Sequence, residues 1–426
     1  MTSPSSLISP VAQKLKAFKS RLRPGSPPIE GHVAPGFEPV ADAFRQNFID
    51  EREVGASFCA FHEGKKVIDL WGGYTDQSTR TPWQQDTVAF LFSATKGLAA
   101  MTVLALAKEG LIDYDAPVSQ YWPAFAAAGK QHVTVRTLMN HRAGLHAVQV
   151  PITLADLAAP GRCAPALETQ APLWAPGSDQ GYHAVSFGLY VGELVRRIAG
   201  KRLGLVFEEW VTRPLGLSND LWIGTPESAE PRVARLYPAD AQARLTGILP
   251  RIVSDKGYNG RTYRAFINPK SDSARAFSNP KELGARFVHR YGTREIRALD
   301  LPWCSAVGNA RSLASAYAGL LGIGAPNAVP LVPRDLITPI MDRQSWTDHD
   351  RVLHKPLGFS QGFLKDEPHL FSPHLDSFGH AGAGGILGWA VPSRNLAFGY
   401  VMNRMDFRVR SPRAIALAQA LHRVIG

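Results

Sequence analysis

The chain has 426 residues, 45% of them hydrophobic and 19% charged, with a formal net charge of +11. That length allows one large domain or two ordinary ones, and the apolar fraction excludes a mostly disordered chain. Cys59, Cys163 and Cys304 are odd in number, far apart and without a CxxC pair, which argues against a disulfide framework or a thiolate zinc site.

Residues 1–35 hold Lys14, Lys16, Lys19, Arg21 and Arg23 against Glu30, and read as a basic, poorly packed extension. A short basic amphipathic helix is expected at 11–22, ended by the breaker run Pro24-Gly25-Ser26-Pro27-Pro28. Residues 56–61 and 66–71 are apolar and β-prone, and His62-Glu63-Gly64-Lys65 between them signals a hairpin. From Ala94 to Glu109 the pattern turns helical and apolar nearly all round, so this helix should be central and buried. Its apolar run, 97–107, is too short to span a bilayer. Helical stretches follow at 133–140 and 186–198. Residues 225–299 are rich in Pro, Gly, Arg and Asn and read as a loop-rich insertion; within them, 251–300 carries eleven cations against five acids. Strand patterns return at 386–391 and 396–402, flanking Pro392-Ser393-Arg394-Asn395. Ser411 as cap and Pro412 at the first helical position open a last helix to Val424.

Strands at both ends with helices between them predict an α/β (α+β) fold. One antiparallel sheet would be built from both chain ends and flanked by helices, with a mostly helical domain inserted. The expected division is 1–35 as extension, 36–110 and 300–426 as the α/β sandwich domain, and 111–299 as the helical domain. No RNA- or DNA-binding motif accompanies the charge, so a nucleic-acid partner is not expected. No apolar leader core of 7–15 residues opens the chain, so a cytoplasmic protein with no integral membrane segment is expected.

The chemistry begins at Phe92-Ser93-Ala94-Thr95-Lys96, an S-x-x-K opening the buried helix. Positions i and i+3 share a helix face, so Lys96 can reach the Ser93 hydroxyl. A serine needs an adjacent base, and a lysine becomes one when burial lowers its pKa. Ser93 at the helix N-terminus also aims backbone N–H groups at a developing oxyanion. Tyr182 follows Trp174-Ala175-Pro176-Gly177, at the head of the 186–198 helix. Gly379-His380-Ala381-Gly382-Ala383-Gly384-Gly385 precedes the C-terminal hairpin.

Ser-x-x-Lys, then a tyrosine motif, then [Lys/His]-x-Gly on a strand resembles the serine β-lactamase and penicillin-binding-protein superfamily. Within it the sequence is most similar to the β-lactamase-like carboxylesterases, the family VIII esterases. Arg213-Pro214-Leu215-Gly216-Leu217 and Gly308-Asn309-Ala310-Arg311-Ser312-Leu313 add to the likeness, as does the stretch 134–145. The resemblance implies a cofactor-free and metal-free serine hydrolase acting on a small-molecule ester. In it Ser93 is the nucleophile and Lys96 with Tyr182 the general base and acid. The oxyanion site is the Ser93 and Ala383 backbone N–H groups, with His380 and Gly382 on the substrate. Two departures from the lactamase pattern favour esters: Tyr182-His183-Ala184 lacks the Asn of Y-x-N, and His380 replaces the lysine of K-T-G. A β-lactamase, a D-amino-acid peptidase or an acyltransferase is the alternative on the same fold.

Other candidates have plainer readings. Gly358-Phe359-Ser360-Gln361-Gly362 matches the G-x-S-x-G nucleophile elbow, but no helix can follow it, because Pro368 interrupts the next stretch. His132, His141 and His146 form no zinc-binding spacing. Trp122, Trp174, Trp303 and Trp389 belong to the core, with one or two on the acyl pocket. Cys304 is expected as a buried small hydrophobe, and His183 as either a cleft residue or a scaffold residue.

Overall fold

The computed structural model describes residues 27–325, 328–365, 367 and 370–426. The helix expected at 11–22 lies outside them. Along the chain, β1 (Ile29–Val33) and α1 (Glu38–Asp50) come first. The expected hairpin is β2 (Gly55–His62) and β3 (Lys65–Asp76), joined by Glu63 and Gly64 at φ 50° and 73°. Two left-handed residues in a two-residue loop match the right-handed twist of the flanking strands. After β4 (Thr81–Pro82) and β5 (Ala89–Phe90) comes α2 (Thr95–Lys108), buried continuously from Thr95 to Leu106. Next are α3 (Ser186–Ala199), β6 (Leu221–Ile223), α4 (Ala241–Ser254) and α5 (Tyr258–Ile267). Then follow β7 (Ala306–Gly308), α6 (Ala310–Leu321), β8 (Ser345–Thr347), β9 (Leu357–Ser360), β10 (Phe363–Lys365) and β11 (Phe378–Ala381). The C-terminal hairpin β12 (Leu387–Val391) and β13 (Leu396–Met402) leads into α7 (Pro412–Ile425), whose Ser411 hydroxyl accepts from the Arg413 N–H.

The main sheet runs β1-β3-β2-β13-β12-β11-β10-β9-β8, with β4 on the outer part of β3. Every neighbouring pair is antiparallel. Its centre is the zipper of the two ends, from Met402 opposite Ala56 to Leu396 opposite His62. Helix α6 lies on β2, β12 and β13. It comes close because Gly388 and Gly399 face it. A Cβ on Gly399 would stand 2.6 Å from the Ala310 carbonyl oxygen, and one on Gly388 2.5 Å from the Tyr317 ring. A small sheet, β5-β7-β6, stands beside the start of α2. Among the described residues no helix is long and apolar enough to cross a membrane.

Two expectations need correction. The lead-in is not unpacked to residue 35, because Ile29–Val33 pairs with β3, Ile29 opposite Gly72 and Val33 opposite Ile68. The breaker run ends just before it, and Ile29 is buried. The segment 225–299 is also less loop-rich than expected, since it holds α4, α5 and shorter turns of helix. Gly247 and Pro250 lie inside α4, and no residue of that helix is buried, so no core-facing stripe marks it in the sequence.

Candidate active site

Ser93 sits in a single helical turn, Phe92–Ala94, that runs directly into α2. The small sheet fixes this turn: the Leu91 N–H donates to the Ala306 carbonyl, and the Ala306 N–H donates to Thr95 Oγ1 at 3.0 Å. Phe92 holds φ 47°, a left-handed conformation that costs a non-glycine residue about 1–2 kcal/mol. Such strain is kept only where the surroundings enforce it, and here it turns the next residue toward a cavity.

One helical turn on, Lys96 is fully buried, and its Nζ reaches three oxygens. These are Ser93 Oγ at 3.3 Å, the Ala184 carbonyl at 2.7 Å and the Trp303 carbonyl at 3.2 Å. Burial lowers its pKa from 10.5 to about 7. The 4.9 Å separation of Nζ from the Tyr182 ring centre brings the third predicted residue to the same spot. Tyr182 and Ser93 line the same cavity, and burial raises the phenol pKa well above its usual value, with the Ser93 side chain opposing part of that rise.

The end of β11 closes the other side. Gly382 lies against the serine turn, where a Cβ would stand 2.5 Å from the Leu91 carbonyl oxygen and 3.4 Å from the Ala94 nitrogen. Ala383, the next residue, lines the same cavity as Ser93. Among the described residues neither the Ser93 N–H nor the Ala383 N–H donates to another protein group. His380 lines the same cavity and is neutral, because burial, with Lys96 and Arg410 nearby, pushes its pKa far down. Its Nδ1 bonds the Ala381 carbonyl at 2.9 Å, which leaves Nε2 as a buried acceptor without a protein partner.

The cavity above Ser93 encloses about 400 Å³, within the usual range for a small-molecule site. Phe92, Val185, Tyr291, Trp303 and Phe359 line it, together with Ile248, Phe266, Phe277 and Phe407. Of the four tryptophans, Trp303 lines it, Trp122 and Trp389 are core, and Trp174 stacks on His146. Cys304 is buried on the cavity wall, and burial pushes its thiol pKa up.

His183 belongs to the scaffold: its Nδ1 bonds the Gly181 carbonyl, and its Nε2 accepts from the Leu145 N–H. Ser360 is no nucleophile elbow. It ends β9 at the two-residue turn Gln361-Gly362 (φ 48° and 89°), and its buried hydroxyl donates to the Pro339 carbonyl.

Sequence reasoning missed two supports. Asp350 is buried and accepts from the N–H groups of Tyr182, Val352 and Leu353 at 3.2, 2.9 and 2.9 Å, tying the tyrosine segment to a turn 168 residues away. Arg410, also on the cavity wall, shares Glu367 with Lys355 in a buried triad and faces Tyr182 electrostatically. Neither sits in a motif, and both reach the site only through tertiary contacts.

Known proteins share this fold. A family model described as Beta-lactamase matches residues 40–422. The esterase/β-lactamase LipL of Mycobacterium tuberculosis is 32% identical over 381 residues, which covers 88% of this chain and 83% of LipL. A crystal structure of a family VIII carboxylesterase superposes with a TM-score of 0.77 at 36% identity, over 93% of this chain and 100% of that one. A penicillin-binding-protein homologue from Caulobacter crescentus gives 0.78 at 32%, over 93% and 100%. This chain therefore belongs to the β-lactamase family and is a serine hydrolase of that fold.

Proposed function

We propose that this protein is a serine carboxylesterase that hydrolyses small or medium acyl esters through an acyl-enzyme on Ser93. The observation that carries the reading is Lys96. Its neutral amine keeps two N–H bonds for the Ala184 and Trp303 carbonyls and turns its lone pair to the Ser93 hydroxyl. With a pKa of about 7 it can be a free base where Tyr182, raised by burial, stays protonated.

Ser93 Oγ attacks the ester carbonyl carbon as its proton passes to Lys96 Nζ. The tetrahedral oxyanion rests on the N–H groups of Ser93 and Ala383, donors of a kind worth about 10²–10³ in rate. Collapse breaks the bond to the alkoxide. Tyr182 protonates that leaving group and recovers its own proton from the Lys96 ammonium. A water molecule then repeats the sequence. It gives its proton to the same pair, its oxygen joins the acyl carbon, and Ser93 Oγ leaves and is reprotonated.

Esters are favoured over β-lactams by what faces the cavity. Neutral His380 offers a lone pair where a carboxylate would need a cation, and Ala184 offers no side-chain amide. The esterases among the relatives support the same choice.

Fluorophosphonate labelling followed by peptide mapping is expected to place the adduct on Ser93. Ser93→Ala should cut kcat/KM for p-nitrophenyl butyrate by about 10⁴-fold or more, whereas Ser360→Ala should leave it within about twofold. Loss of activity only in Ser360→Ala overturns the assignment. Nitrocefin turnover matching that of the ester overturns the substrate class.

A further inference from the structure

Helix α4 has two faces with different surroundings. Arg244, Gly247, Ile248 and Arg251 recur at three- and four-residue spacing and point inward. Arg244 and Ile248 line the cavity, Gly247 rests on the Phe407 ring, and the Arg251 guanidinium lies 5.9 Å from that ring's centre. Leu245, Leu249 and Val253, each four residues apart, form the outward face and are 60%, 53% and 84% exposed. A solvated helix puts charged or polar residues there; this one presents a row of large aliphatic side chains.

The charge of the segment that carries this row is one-sided, although two of its cations, Arg244 and Arg251, stand on the inward face. Residues 241–270 hold Arg244, Arg251, Lys256, Arg261, Arg264 and Lys270, against Asp255 alone. The Asp255 carboxylate already accepts from the N–H groups of Gly257 and Gly260. Arg261 and Arg264 donate to main-chain carbonyls. Among the described residues none of the six cations lies within ion-pair distance of a carboxylate. An aliphatic row set in uncompensated positive charge is the complement of an anionic bilayer surface. The aliphatic groups enter the boundary of the acyl layer and the cations meet lipid phosphates. A second copy of this chain would bring the same positive field against it, and like charge disfavours that contact.

We propose that the outer face of α4 docks on an anionic phospholipid bilayer and sets one wall of the Ser93 cavity against the lipid surface. Ile248 on the cavity wall and Leu249 on the outer face are consecutive residues, so one helix, about 10–12 Å across, separates cavity from lipid. The consequence for substrate, an ester that partitions into lipid, rests on the esterase reading; the docking does not.

The test is co-sedimentation of the full-length protein with phosphatidylcholine vesicles, with and without phosphatidylglycerol. Binding should be at least about tenfold stronger to the anionic vesicles and should weaken at high salt. Leu249→Glu with Val253→Glu should abolish it while leaving hydrolysis of soluble p-nitrophenyl acetate unchanged. Lys256→Glu should weaken it severalfold, and this variant, three residues from Val253, keeps the test open if the first does not fold. Ser93→Ala should bind vesicles as the parent does, so failure of the esterase reading leaves this result standing. Equal binding to neutral vesicles, no binding, or full binding by both of these variants overturns the proposal. So does a lipid-free dimer that Leu249→Glu with Val253→Glu converts to a monomer.

Discussion

The floor and the roof of the cavity are built on opposite principles. On the floor, each reactive group is held by buried partners: Lys96 by two carbonyls and the serine, and Tyr182 by the Asp350 carboxylate under its own N–H. The roof is α4 and α5, rich in cations, with α4 burying none of its residues. Chemistry needs fixed distances and a shifted pKa, and only a dry, close-packed interior supplies both. Holding an acyl chain needs apolar area alone, which a thin wall of side chains can give. On this contrast, changes to the floor should act on turnover, and changes to the roof on which ester is taken.

Lys96→Met should have the largest effect, lowering kcat by about 10³-fold or more with the fold intact. The parent's pH profile tests the same residue. The proposed base is inactive when protonated, so kcat/KM should fall about tenfold per unit as pH drops below about 7 and level off above it. A flat profile between pH 5 and 8 removes Lys96 as the base. Stability gives an independent readout. A lysine whose folded pKa is depressed from 10.5 to about 7 destabilises the fold most below pH 7. That penalty fades as pH rises toward the unfolded value. Compared with Lys96→Met, the parent should therefore gain on the order of 3 kcal/mol of relative stability between pH 6.5 and 9.5. Chemical denaturation of the pair at the two pH values measures it.

Asp350→Ala probes the floor one layer out. It removes the acceptor under Tyr182, Val352 and Leu353, so the tyrosine segment loses its anchor without losing its phenol. A displacement near 1 Å at a reacting group costs about 10²-fold, and kcat should fall by about that much with KM little changed. An unchanged kcat in a variant with the parent's thermal midpoint shows that Tyr182 is positioned by other contacts.

The contrast also explains what could be read from the sequence. Ser93 and Lys96 were legible because i and i+3 on one helix is a local relation, and α2 declares itself by an unbroken apolar run. The two hairpins were legible because turn chemistry is local too. Asp350 and Arg410 were not, since the contacts that place them join segments distant in the chain, and a lone acid or arginine in a loop carries no period. Helices α4 and α5 were hidden for a different reason. The apolar residues of α4 face both cavity and solvent, so no single stripe forms, and Gly247 and Pro250 read as loop. β1 was lost in the shadow of the proline run before it, although Gly31 lies against the Asp69 backbone as an edge strand allows.

The roof should answer with a smaller and more selective change. Ile248 lines the cavity from α4 and has no polar group to exchange a proton, so Ile248→Ala enlarges the cavity without removing a proton path. Methylene-sized differences in an apolar pocket are worth about 1–3 kcal/mol between full contact and none. A wall residue that is only partly buried should realise the lower part of that. The ratio of kcat/KM for p-nitrophenyl octanoate to that for the acetate should shift by about threefold to tenfold, carried by the octanoate term, while acetate turnover stays at the parent's value. An equal loss on both esters would mean that α4 helps hold the floor in place, and the division between a rigid catalytic base and a thin selective wall would fail at that helix.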